Sequence, residues 1–109
     1  ADGTLPGRRV FVALDDVEGT DPTRGWELGP DGLAVDRDGN LIIAEYGAGH
    51  LLVVDPTGSL VATVPVPQAY VTSSTLNEDQ SVLFITAPAS LASPDEDGAV
   101  YATPYPIQP

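Results

Sequence analysis

Asp31 stands between Pro30 and Gly32 at the head of the stretch GPDGLAVDRDGNLIIAEYG, residues 29–47. Taken from its neighbours alone it is a turn residue, because proline presets φ, glycine tolerates positive φ, and aspartate between them satisfies nearby backbone amides. Other polar groups could do chemistry only in company. Asp36, Asp38 and Asn40 have the spacing that begins a calcium loop, but Leu41 stands where that loop needs glycine and no glutamate closes it, so they read as a hairpin turn. His50 is the only histidine and there is no cysteine, so neither a zinc pair nor a catalytic triad can be assembled from this chain. Thr72 and Ser73 offer adjacent hydroxyls that either line a site or satisfy backbone groups at a strand end. Asp15, Asp16, Glu18 and Asp21, and again Asp95, Glu96 and Asp97, read as solvated acidic loops. Trp26 reads as loop packing. No glycine-rich phosphate loop is present.

These groups must be carried on strands. Apolar runs of strand length recur at 8–14, 32–35, 40–45, 50–55, 59–66, 72–76, 82–86 and 98–103, rich in Val, Ile, Leu and Thr. Between them fall Asp38-Gly39, Gly47-Ala48-Gly49, Pro56-Thr57-Gly58, Asn77-Glu78-Asp79 and Asp97-Gly98, all turn formers. No helical apolar period survives without an interrupting Gly or Pro. The chain reads as all-β.

Length and charge narrow the class further. At 109 residues, with no apolar run near the ~20 needed to span a bilayer, the chain is at most one soluble domain, with a cytoplasmic setting slightly favoured. Sixteen acidic against four basic residues give a net charge of −12, which repels phosphate backbones and anionic lipid, so nucleic acid and membrane are not expected partners. The opening ADGTLPG reads as a hairpin turn, so further sequence is expected upstream.

Strand starts about ten residues apart describe an antiparallel meander, and a longer cycle is superposed on it. NLIIAE at 40–45 aligns with VLFITA at 82–87, and GHLLVVDP at 49–56 aligns with GAVYATPY at 98–105 across an insertion containing SPDEDG. A four-stranded unit repeating at that period is what a propeller blade looks like in sequence. The runs LIIA, LLVV and VLFI are continuously apolar, so both faces of those strands should be covered, as in stacked blades. The expected organisation is therefore an outer strand of a preceding blade at 8–14, a complete blade at 29–68, and most of a final blade at 69–109. About two blades cannot close a ring, so a complementary chain or further copies must supply the rest. A small irregular β-sandwich is the competing architecture.

The Pro-Asp-Gly segment, its downstream Asp-Gly-Asn and Asp-Pro-x-Gly turns, and VTSSTLNEDQSVLFITA at 71–87 together resemble the C-terminal part of the senescence marker protein, gluconolactonase and luciferin-regenerating enzyme family of six-bladed propellers. The resemblance covers nearly the whole chain. It implies that Asp31 is a ligand of a single catalytic divalent metal, calcium or zinc with magnesium or manganese as alternatives, and is the one ligand found here. The family's glutamate and asparagine ligands have no counterpart in these residues. It further implies hydrolysis of a sugar-type or other small lactone, with the metal polarising the carbonyl and activating water, Asp31 serving as ligand or proton acceptor, and Thr72 and Ser73 lining the channel. A phosphotriester hydrolase on the same scaffold and a non-catalytic binding propeller are the alternatives.

Overall fold

Three turns of one kind set the strand register. They begin at Asp36, Asp55 and Asn77, and in each the amide three residues on donates to that first residue's carbonyl, at 3.1, 2.9 and 3.0 Å. The residue donating that amide takes positive φ: 86° at Gly39, 92° at Gly58 and 60° at Gln80. The side chains complete the turns. Asp36 Oδ1 accepts from the Asp38 and Asn40 amides, Asp55 Oδ1 from those of Thr57 and Ser59, and Asn77 Oδ1 from that of Val82. An aspartate or asparagine closing its own turn in this way hands the chain back antiparallel.

The computed structural model describes residues 7, 9–14, 29–88 and 98–107. Seven strands follow from the turns: β1 (Gly29–Val35), β2 (Leu41–Tyr46), β3 (His50–Val54), β4 (Leu60–Pro65), β5 (Ser73–Leu76), β6 (Val82–Ala87) and β7 (Ala99–Pro104). They form two antiparallel sheets, β1-β2-β3-β4 and β5-β6-β7. No helix among the described residues is long and apolar enough to cross a membrane.

Period-two alternation decides where the core lies. Ile42, Ala44, Leu51, Val53 and Val64 of the first sheet, with Val66, meet Val71, Leu83, Ile85 and Ala87 from the second. On the opposite face of the first sheet Ile43, Leu52 and Val54 are buried against Val12, Leu14 and Leu41. Both faces of β2 and β3 are therefore covered, as their unbroken apolar runs require.

One expectation needs correction. VLFI was expected to be covered on both faces, yet β6 alternates: Leu83 and Ile85 are buried while Phe84 is 38% exposed. Nothing among the described residues lies over that face. The preceding blade to which the 8–14 run is expected to belong is not among the described residues, and residues 9–14 join neither sheet. They stand against a broad face, where Val12 and Leu14 touch side chains, and a strand forms only where a neighbour's edge offers backbone groups to pair. Arg8, the 15–21 acidic loop, Trp26 and the 95–97 acidic loop lie outside the described residues.

Candidate active site

Strand β1 carries Asp31, and its pairing with β2 breaks at that residue. Pro30 pairs with Glu45 and Leu33 with Ile43, leaving Asp31 and Gly32 together opposite Ala44. An extra residue in one strand is a β-bulge, which bends the strand and re-aims a side chain. Asp31 is exposed. No hydrogen bond ties its carboxylate to another described residue, and the Pro-Asp-Gly stretch expected as a turn is instead part of β1, its bend supplied by the bulge.

Gly32 brings the second sheet to this point. Its amide donates to the Thr72 carbonyl at 2.8 Å. A Cβ at Gly32 would stand 2.6 Å from Ser73 Oγ and 2.8 Å from that carbonyl, so only glycine allows the approach. The innermost strands of the two sheets, β1 and β5, are thereby stitched together beside Asp31. Thr72, Ser73 and Asp31, singled out separately in the sequence, are brought into one neighbourhood. Within it the Thr72 hydroxyl donates to the Thr86 carbonyl at 3.0 Å and lies 2.9 Å from the Thr86 hydroxyl, so it serves the backbone at a strand end.

Sequence reasoning missed Glu45. Its side chain is 1% exposed and its Oε2 lies 2.6 Å from His50 Nε2. The signal was available: residues 45 and 50 flank the Gly47-Ala48-Gly49 turn, and a hairpin of that length places them side by side, as the observed register does.

At the opposite end of β1 the Asp36 carboxylate is saturated. It accepts from the Tyr105 hydroxyl at 2.6 Å, from Asn40 Nδ2 at 2.9 Å, and from the amides of Asp38 and Asn40 at 2.9 Å each. Burial opposes its charge, but the Tyr105 and Asn40 hydrogen bonds outweigh burial and hold the carboxyl below its usual range. Burial and then the Asp36 hydrogen bond push the Tyr105 hydroxyl well above its ordinary value. This cluster is turn structure, as expected for Asp36, Asp38 and Asn40, and has no donor left over for a cation. Two clefts of about 250 and 340 Å³ lie near Asp36–Tyr105 and beside Val64–Tyr101, and neither is lined by Asp31.

The donor chemistry at Asp31 suits a hard cation, since it presents an exposed, unengaged carboxylate on a rigid bulge. It is one ligand only. No group of three His, Cys, Asp or Glu side chains converges among the described residues.

A four-stranded and a three-stranded antiparallel meander set side by side, joined at their first strands, with a carboxylate beside the join, define blades of a β-propeller. Comparison with known proteins gives the lineage: residues 1–89 match the family model described as SMP-30/Gluconolactonase/LRE-like region, and the chain belongs to that family. Regucalcin of Danio rerio is 33% identical over 87 residues, covering 78% of this chain and 26% of that protein. Regucalcin of Oryctolagus cuniculus is 32% identical over 107 residues, 91% of this chain and 33% of that protein. Among solved structures, a luciferin-regenerating enzyme superposes with a TM-score of 0.58 at 28% identity, over 67% of this chain and 27% of that one. The chain thus spans about a quarter to a third of the length of these relatives.

Proposed function

We propose that this chain is a segment of a metal-dependent hydrolase of the gluconolactonase type that opens a sugar-type or other small lactone. The observation that carries the reading is the bulge at Asp31, which turns an unengaged carboxylate out of β1 where that strand meets Thr72 and Ser73. Asp31 would hold the divalent ion, calcium or zinc in first place, as one ligand among several. A bound divalent ion supplies Lewis acidity toward a lactone carbonyl and toward water. Asp31 contributes negative charge fixed by the bulge and, on its second oxygen, a place for a proton taken from water. Ser73, packed over Gly32, sets the wall beside that carboxylate, and Thr72, held by Thr86, keeps the wall rigid. The remaining ligands and blades would come from a complementary chain or from further copies.

The test is hydrolysis of a lactone panel by the assembled protein, with and without chelator, beside Asp31→Asn. Loss of one carboxylate ligand is expected to lower activity at least about a hundredfold and to weaken metal binding. Wild-type rates from Asp31→Asn, unaffected by chelator, would remove the metal mechanism and leave a binding scaffold. Turnover of phosphotriesters but not lactones would reassign the substrate class.

A further inference from the structure

The rung of the first sheet that ends at the bulge reads Pro30–Glu45–His50–Pro65 across β1 to β4. Both outer positions are proline and donate nothing to the ladder, so backbone pairing is weakest at the place from which Asp31 is presented. The two inner positions hold a carboxylate 1% exposed and an imidazole 22% exposed, 2.6 Å apart. Glu45 shares its sheet face with Ile43 and Leu52, both buried. Burying a carboxylate among aliphatic side chains is costly even when it is paired, and nothing in the repeat demands it.

The second sheet makes this plain. The aligned positions there are Ala87 and Ala99, which pair with each other in the same register. That rung is built from two methyl groups, and the bend beside it, where Thr72 and Ser73 both face Thr86, is held by the Thr72 amide and hydroxyl on the Thr86 carbonyl. In the first sheet the Asp31 side chain makes no such bond among the described residues, and the charged rung stands beside the bulge instead. The turn after Glu45 is tied toward the site as well: Gly49 donates to the Ala69 carbonyl, and Tyr46 bridges Tyr70, in the connection that leads into Thr72.

We infer that Glu45 and His50 are a positioning pair that locks the last rung of the first sheet and so holds the Pro30–Gly32 bulge, and with it Asp31, in place. The consequence for metal binding rests on the reading of Asp31 as a ligand; the locking of the bulge does not.

Amide exchange of the assembled, metal-free protein tests the lock. Glu45→Leu should speed exchange of the Gly32 amide, which bonds Thr72, by about tenfold or more. The Asp36 amide, bonded to Asn40 at the far end of the same strand, should be unchanged and serves as the internal control. Glu45→Gln can still accept from His50 and should keep most of the protection. His50→Gln is the second variant should Glu45→Leu fail to fold, with the same expected pattern. In calorimetry with Ca2+, Glu45→Leu should weaken binding about ten- to a hundredfold, the usual effect of removing a partner behind a ligand. Gly32 exchange at the wild-type rate, or Gly32 and Asp36 accelerating together, would overturn the inference. Unchanged Ca2+ binding in Asp31→Asn would instead overturn the metal reading and leave the exchange result to decide the lock.

Discussion

Asp31 and Asp36 are five residues apart on one strand, and their surroundings give them opposite fates. Asp36 is closed in by four donors and is structural, whereas Asp31 keeps its oxygens unengaged among the described residues. The Asp36–Tyr105 contact predicts a pH dependence of stability with two limbs. Asp36 is held below its usual value of 3.8, so its contribution is present above that pH and is lost as the pH falls through the lowered value. Tyr105 is raised, so its contribution is complete below its ordinary value of 10.0 and declines as the pH climbs beyond it. Tyr105→Phe should therefore cost about 1–3 kcal/mol in chemical denaturation at pH 7. The gap from wild type should narrow above pH ~10, where an unfolded tyrosine ionises. An equal gap at pH 7 and pH 11 would refute the assignment. At this scale the sequence pointed to Asp31, Thr72 and Ser73 but passed over Glu45, because a lone glutamate ending an apolar run is marked only when the Gly47-Ala48-Gly49 hairpin is read as setting His50 beside it.

The turns are where element-level design shows. Two of the three place glycine at the positive-φ position and the third places Gln80, at a conformational cost of about 1 kcal/mol. What Gln80 gains is a clamp between the sheets. Its Oε1 accepts from the Arg37 amide at 2.8 Å and from Arg37 Nε at 3.2 Å, while Arg37 Nη2 donates to the Asp79 carbonyl at 3.0 Å. Exposed hydrogen bonds of this kind are worth about as much as the strain costs. Gln80→Gly alone should accordingly shift stability by less than about 0.5 kcal/mol, and in an Arg37→Ala background, where the residue-37 amide still bonds Gln80 Oε1 but the guanidinium bonds are gone, it should be more favourable by about 0.5 kcal/mol. A double-mutant cycle by urea denaturation checks the sign. Zero coupling would mean that the guanidinium part of the clamp carries no energy. Six of the seven strands were legible to within a residue or two, because the Asx turns and apolar runs are local, whereas β1 begins three residues before the expected 32 because Pro30-Asp31-Gly32 lies in the strand. Residues 9–14 form no strand in either sheet, because a strand is defined by a partner that its own residues do not reveal.

For the whole molecule the telling feature is which faces stay open. Leu33 is 59% and Val35 54% exposed on one side, Phe84 38% and Val100 69% on the other. Covering an aliphatic or aromatic side chain is worth roughly 1.5–3 kcal/mol, so both flanks favour another layer. The chain in isolation is expected to associate in sedimentation equilibrium, and Phe84→Ser with Val100→Thr to weaken that association about ten- to a hundredfold. A monomer at all concentrations, with those side chains still in water, would remove the stacking argument.

By itself the sequence determined the all-β class, the turns at Asp36, Asp55 and Asn77, the blade-like repeat and the family's Pro-Asp-Gly acid, since each is written in the residues of a local stretch. Only the tertiary structure decided that this acid sits on a bulge against the neighbouring sheet, and that a buried glutamate–histidine rung stands behind it. It also decided that β6 leaves one face bare. The reason is physical: burial and register are properties of pairs of surfaces, and a surface's partner is chosen by the fold rather than by the adjacent residues.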